Sequence, residues 1–291
     1  MKKALLFFIL SILLILLCSA LSYGAQTLVA VKVSTPPVLD GKVDSVWKKA
    51  SPIYVKDGRT DKTIELRALY TDSELFILAR YPDSRKDVMH KPWVWDKELK
   101  AYKIGPQRED TFAIKWNMEK REVDLSNFSD DDYRADVWYW KAFRTDPVGH
   151  ADDKLHILSS EKGKKAQKVK SKTGKTRYLH RLGDEGRGCY KRRVVTTYEG
   201  DIVPSYEHTQ PTGSRADVKA KGNWDGKSWT VEFERKLNTG HDDDIAFDPS
   251  AKKRYLFGVS IYGLYGEPID NSKEYLYGQG RISEKLYLIF K

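Results

Sequence analysis

Cysteine is nearly absent from this chain. Its 291 residues hold two, Cys18 and Cys189, and the first lies in an apolar run near the N-terminus. No CxxC pair occurs, which removes the spacing of a structural zinc site, and no CxxCH occurs, which excludes covalent c-type haem attachment. Methionine is almost as scarce: of Met1, Met89 and Met118, only Met118 closes an apolar run, and Met89 lies in the polar "RKDVMHK". There is no GxSxG elbow, no HExxH, no phosphate-binding loop and no GxGxxG after a strand-like run. The six histidines (His90, His150, His156, His180, His208, His241) are scattered, with no metal-ligand pair on one element, and read as structural or exposed. Helical periodicity is confined to "DSVWKKAS" (44–51), with Asp44 or Ser45 as its cap.

What is present begins with Lys2-Lys3, an apolar run from Ala4 to Leu17 and the small residues of "CSALSYGAQ". This is the layout of a secretory leader, with cleavage expected after Gly24 and Ser22 at the −3 position. An uncleaved membrane anchor is the rival reading; a lipoprotein through Cys18 fits less well, because Leu17 stands where a small residue is expected. Export to the periplasm or an equivalent space follows, with a single domain over 25–291 and no membrane span once the leader is removed. Only Cys189 then remains, in "GRGCYKRR", so the domain has no disulfide framework and this thiol reads as an unpaired loop residue. The net charge of +10 owes much to "EKGKKAQKVKSKTGKTRYLHR" (161–181). That basic insertion has no hydrophobic period and reads as a solvated loop. In an exported protein a basic surface suits an acidic protein partner, not nucleic acid.

Strand chemistry dominates the rest. "TLVAVKV" (27–33), "IELRALYT" (64–71), "ELFILARYP" (74–82) and "DTFAIKWNM" (110–118) are alternating or fully apolar. "ADVWYWKAFR" (135–144), "WTVEFERKL" (229–237), "RYLFGVSIYG" (254–263) and "KLYLIF" (285–290) continue the series, and "TDSE" (71–74) marks a hairpin. Many short strands and few helices predict an all-β sandwich with long loops and a few short helices. Most of the eight tryptophans read as core. Two acidic runs, "SDDDY" (129–133) and "HDDDIAFDP" (241–249), lack the glycine and terminal glutamate of an EF-hand and read as solvated loop acids.

Longer phrases carry a resemblance. "LDGKVDSVWKKA" resembles the opening of carbohydrate-binding-module-9-like domains, where a DG…D..W phrase begins the sandwich. "REDTFAIKWNM" (108–118), "DVWYWKAFRTDPVGHADD" (136–153) and "ADVKAKGNWDGKSWTVEFERKL" (216–237), in that order, resemble the haem-binding domain of ethylbenzene dehydrogenase γ-subunits and their relatives. That family includes γ-subunits of exported molybdenum enzymes acting on nitrate, nitrite, chlorate, selenate or dimethyl sulfide. The resemblance implies one non-covalent haem b with methionine and lysine as axial ligands, which fall at Met118 and Lys221. It implies electron transfer, with no catalytic residues of the chain's own. Electrons would pass between the iron–sulfur subunit of a molybdopterin enzyme and a soluble cytochrome or similar carrier.

Lysine is the demanding ligand. Its amine must be neutral, and deprotonation at pH 7 costs roughly 4–5 kcal/mol from an ordinary pKa near 10.4. Burial and the metal bond have to supply that energy. Lys219 and Lys221 lie two apart and face one side of a regular strand, so spacing leaves both open; the "AKG" phrase favours Lys221, with Gly222 letting backbone approach the ring. Trp116, Trp138, Trp140 and Trp224 are the candidate walls of the haem pocket, and Arg144 and His150 the candidate propionate contacts. The alternatives are a carbohydrate-binding module, or a haem-free structural subunit, on the same sandwich.

Overall fold

Alternation and apolar runs become eighteen strands in the computed structural model, which describes residues 25–57, 62–262 and 282–291. The expected leader, 1–24, lies outside the described residues. In chain order the strands are β1 (Gln26–Lys32), β2 (Ile53–Lys56), β3 (Thr63–Tyr70), β4 (Glu74–Pro82), β5 (Trp93–Asp96) and β6 (Ala101–Ile104). Next come β7 (Thr111–Asn117), β8 (Tyr133–Lys141), β9 (Asp152–Ser159), β10 (Gln167–Lys170), β11 (Thr176–Gly183) and β12 (Tyr190–Arg192). The last are β13 (Ile202–Val203), β14 (Tyr206–His208), β15 (Lys219–Trp224), β16 (Ser228–Lys236), β17 (Tyr255–Tyr262) and β18 (Leu286–Phe290).

One large sheet runs β10-β11-β9-β8-β7-β17-β18-β1-β3-β4-β16-β15, with β2 added beside β3. It folds over so that its two halves face each other. Trp140 of β8 meets Trp229 of β16 with ring centroids 4.9 Å apart, and Phe112 of β7 stacks on Tyr81 of β4 at 5.6 Å. The sandwich is thus one open sheet folded over on itself, as the alternating patterns predict. β1 links β18 to β3 by pairing in parallel with both. "DSVWKKAS" makes only a 3-10 helix, Ser45–Lys49, whose Trp47 is buried. No helix among the described residues is long and apolar enough to cross a membrane.

The "DG" phrase near the start has a physical role. Glu232 is buried on the face of β16 away from the main core, and accepts bonds from Gly41 N (2.7 Å), Asp40 N (3.1 Å) and Trp47 Nε1 (2.7 Å). Burial pushes its carboxyl up to about 7. Gly41 has a positive φ of 75°, and a Cβ there would fall 2.6 Å from Asn223 N, so only glycine lets this segment lie on β15.

The basic insertion is not a solvated loop throughout. β10 and β11 form a hairpin inside it, and β11 pairs with β9. Lys168 and Lys170 of β10 point outward, while Leu179 of β11 is buried in a second apolar cluster with Leu158 and Val137, and Val169 packs against it. One inward aliphatic residue per strand, Val169 in β10 and Leu179 in β11, is too weak a periodic signal to stand out among lysines. Cys189 is free as expected, yet it is buried rather than loop-exposed: its Sγ faces Ala151 O at 3.6 Å, and burial pushes the thiol up to about 12.

Candidate functional site

Lys221 lies on the edge strand β15, opposite Glu232. Its Nζ donates to Asp146 Oδ2 (2.9 Å) and Asp146 O (3.2 Å), with the side chain 37% exposed. Asp146 Oδ1 accepts from Gly222 N (2.6 Å) and Trp140 Nε1 (2.9 Å). A Cβ on Gly222 would lie 2.3 Å from Trp140 Cζ2. The close approach for which glycine was expected is therefore made to an indole, and Lys221 is the charged partner of a carboxylate. Lys219 is an exposed partner of Glu234 at 2.7 Å.

Met118 follows β7, half-buried against the main core, and its N–H donates to Arg134 O at 3.2 Å. Arg134 and Trp140 stand near opposite ends of β8, about 20 Å apart at strand rise. The structure thus does not bring Met118 and Lys221 together. Trp116, Trp138 and Trp140 do share the core, but as mutual filling: Trp116 lies 5.2 Å from Trp138 and 4.7 Å from Phe257. Trp224 is half-buried and donates to Asp83 O. His150 sits at the edge of β15, its Nδ1 2.8 Å from Val148 O, apart from Arg144.

Arg144 belongs to a different place, a cavity of about 270 Å³ on the other face of β7, β8 and β9. Strand alternation puts Ala113, Lys115, Val137, Tyr139, Lys141, Lys154 and His156 there, back to back with the core tryptophans. Lys115 is buried and donates to Leu125 O (2.8 Å), Asn127 Oδ1 (3.2 Å) and Tyr133 OH (2.7 Å). Desolvation brings its pKa down to about 7. Lys141, also lowered by burial, binds Asp152 Oδ2 (2.5 Å) and Tyr190 OH (2.9 Å). Glu109 accepts from the Arg144 side chain and from the N–H groups of Phe143 and Arg144. His156 is held neutral by burial and by Lys115 and Arg181, and its Nδ1 has no hydrogen-bond partner. Six basic side chains (Lys91, Lys115, Lys141, Arg144, Lys154, Arg181) and, among the described residues, no carboxylate line the cavity, so it can receive an anionic group.

Apart from Arg144, the sequence reading missed this cavity. The one available signal was a lysine inside each of two otherwise apolar strands, Lys115 in "TFAIKWN" and Lys141 at the end of "VWYWK".

With fold and cavity in view, the chain is an all-β sandwich with a cation-lined cavity on one face of three neighbouring strands. A family model described as ethylbenzene dehydrogenase matches residues 27–274, and the chain belongs to that family. Among solved structures it is similar to a family 9 carbohydrate-binding module from Caldicellulosiruptor kristjanssonii in complex with glucose, at 11% identity and TM-score 0.39, covering 91% of this chain and 97% of that one. The same module in complex with cellotriose aligns at 11% identity and TM-score 0.39, covering 91% and 95%. No curated protein matches the sequence.

Proposed function

We propose that this chain is an accessory, electron-transferring subunit of an exported molybdenum oxidoreductase and carries one haem b. Its partners in this reading are an iron–sulfur subunit beside the molybdopterin subunit and a soluble cytochrome or similar carrier. The family match over residues 27–274 is the observation that carries the reading. The leader-like sequence 1–24 supports export to the periplasm. When bound, haem supplies a one-electron ferric/ferrous couple. As arranged, Met118 and Lys221 do not fit a single iron, because they stand near opposite ends of β8 and Lys221 holds Asp146. The cavity offers the complementary chemistry: cations for carboxylates, a neutral imidazole at His156, and an amine at Lys115 whose neutral form is accessible near pH 7. Its volume of about 270 Å³ is at the lower edge of small-molecule sites, so a macrocycle enters only if the cavity widens. A sugar-binding role would have to rest on the partly exposed Trp93, Trp95 and Trp224, because Trp47, Trp116, Trp138, Trp140 and Trp229 are buried and offer no surface platform.

Absorption spectra of protein expressed with ample haem, oxidised and dithionite-reduced, test the reading. A b-type pyridine haemochrome is expected; failure to take up haem sinks it. Met118→Ala and Lys221→Gln then decide the ligands. Loss of the low-spin spectrum with either assigns that residue to the iron. An unchanged spectrum with both, and a changed one in His156→Ala, places the haem in the cavity.

A further inference from the structure

The opposite face of the same strands holds an unusual set of acids. Asp136 of β8, Asp153 of β9 and Asp244, from the second acidic run, are buried together, and one oxygen from each lies within 4.8 Å of the others. Asp244 is therefore not a solvated loop acid. Arg235 of β16 binds one oxygen of two of them, Asp136 Oδ2 at 2.5 Å and Asp244 Oδ1 at 3.1 Å. Ile245 N also donates to Asp136 Oδ2 at 3.1 Å. Among the described residues that leaves Asp136 Oδ1, Asp244 Oδ2 and both oxygens of Asp153 buried without a hydrogen-bond donor, with His241 Nδ1 3.9 Å from Asp244 Oδ2. Asp153 is the decisive residue, since it has no exposure and neither oxygen meets an N–H or hydroxyl donor among the described residues, only the neighbouring Asp184 carboxyl. Asp184, just beyond β11, adds two more oxygens without a donor, and its N–H approaches Asp153 O at 3.4 Å.

A buried carboxylate without a partner costs far more than a hydrogen bond returns, so native structures pair such groups with a cation or keep them protonated. Here four carboxylates face one guanidinium. We propose that Asp136, Asp153 and Asp244, backed by Asp184, bind one divalent cation of the calcium type. Oxygen-only donors select a hard cation, and no histidine nitrogen or thiolate belongs to the buried trio. Carboxylate oxygens spread over 4.8 Å suit calcium–oxygen bonds of about 2.3–2.6 Å. A site without bulk water favours calcium over magnesium, which sheds its hydration shell reluctantly. The ion ties β8, β9 and the loop after β16 together, behind the wall of the cavity, and its role is structural.

The test uses the full chain stripped with a chelator. Equilibrium dialysis against calcium should find one ion per chain. At a hundredfold excess over the dissociation constant, the melting temperature should rise by roughly 5–10 °C, and magnesium at equal concentration should give a smaller rise. Asp153→Asn should abolish both binding and rise. No ion bound by the wild-type chain, together with no calcium-dependent rise, overturns the proposal, and needs no variant that might misfold. Haem uptake is read by absorption and calcium by dialysis, so the two readings succeed or fail separately.

Discussion

Asp152 and Asp153 are neighbours on β9 with identical side chains and opposite fates. Asp152 points to the side of the sheet that bears the cavity, behind its lining, where Lys141 (2.5 Å), Arg215 (2.7 Å) and Lys154 (3.5 Å) surround it and hold its carboxyl well below the usual range despite its burial. Asp153 points to the other face, opposite Trp138 in the ladder, among Asp136, Asp184 and Asp244, and is raised well above that range. Both are buried to the same degree. Burial alone therefore does not set the charge state; the sign of the nearest groups does, and a strand's alternation assigns neighbours to opposite environments.

The largest expected effect is from Asp152→Asn. It strands the buried Lys141 and the half-buried Arg215 without their carboxylate, and loss of one partner of a buried pair costs about 3–5 kcal/mol. Urea unfolding measures it. A loss under about 1 kcal/mol, the range of exposed pairs, would show that water screens this face. Adding Lys141→Met to the same chain should recover part of the loss, because the uncompensated ammonium goes with it.

A smaller effect separates the other face by pH. Asp184 and Asp244 titrate above their unfolded values, so between about pH 5 and 7 the folded chain holds more protons than the unfolded one. Stability of the metal-free protein should therefore fall as pH rises through that window. The charged groups facing the cluster are Arg235 from β16, Asp217 and His241 at its rim, and Asp243 beside Asp244. Glu232 and the Asp83–Asp110 pair are raised too and add to the fall. The slope that belongs to the acid cluster is the part that calcium, or Asp153→Asn, removes in denaturation curves at stepped pH. Above pH 7 Lys115 opposes the trend, since its lowered pKa makes the unfolded chain the greater proton binder there.

The smallest effect is from Lys154→Ala. Its ammonium is the most distant of the three cations on Asp152, at 3.5 Å, and is not fully buried. A change under about 1 kcal/mol is expected from thermal unfolding. A loss as large as that of Asp152→Asn would instead make Lys154 the main partner.

Much of the fold was legible. All eight sequence-read strands appear within one to three residues of their expected ends, from β1 through β18, because each carries alternation or a continuous apolar run. The 71–74 hairpin joins β3 and β4 as read. β10 and β11 escaped because their few inward residues are diluted by lysine. Of the candidate site, the phrases around Trp140, Asp146 and Gly222 were legible as a unit and do meet in space, though Lys221 there serves Asp146. The cavity and the acid cluster were not legible, since both depend on the register and face of neighbouring strands, and Asp244 and Arg235 reach the acids from much later in the chain. Asp244 comes from a run that looks fully solvated when read alone.

By itself, then, the sequence determined the class of fold and the family, because periodicity and long phrases are local and survive in one dimension. Tertiary structure decided which face each polar residue occupies and what stands opposite it. That choice depends on register between strands, and a shift of one residue would exchange the environments of Asp152 and Asp153.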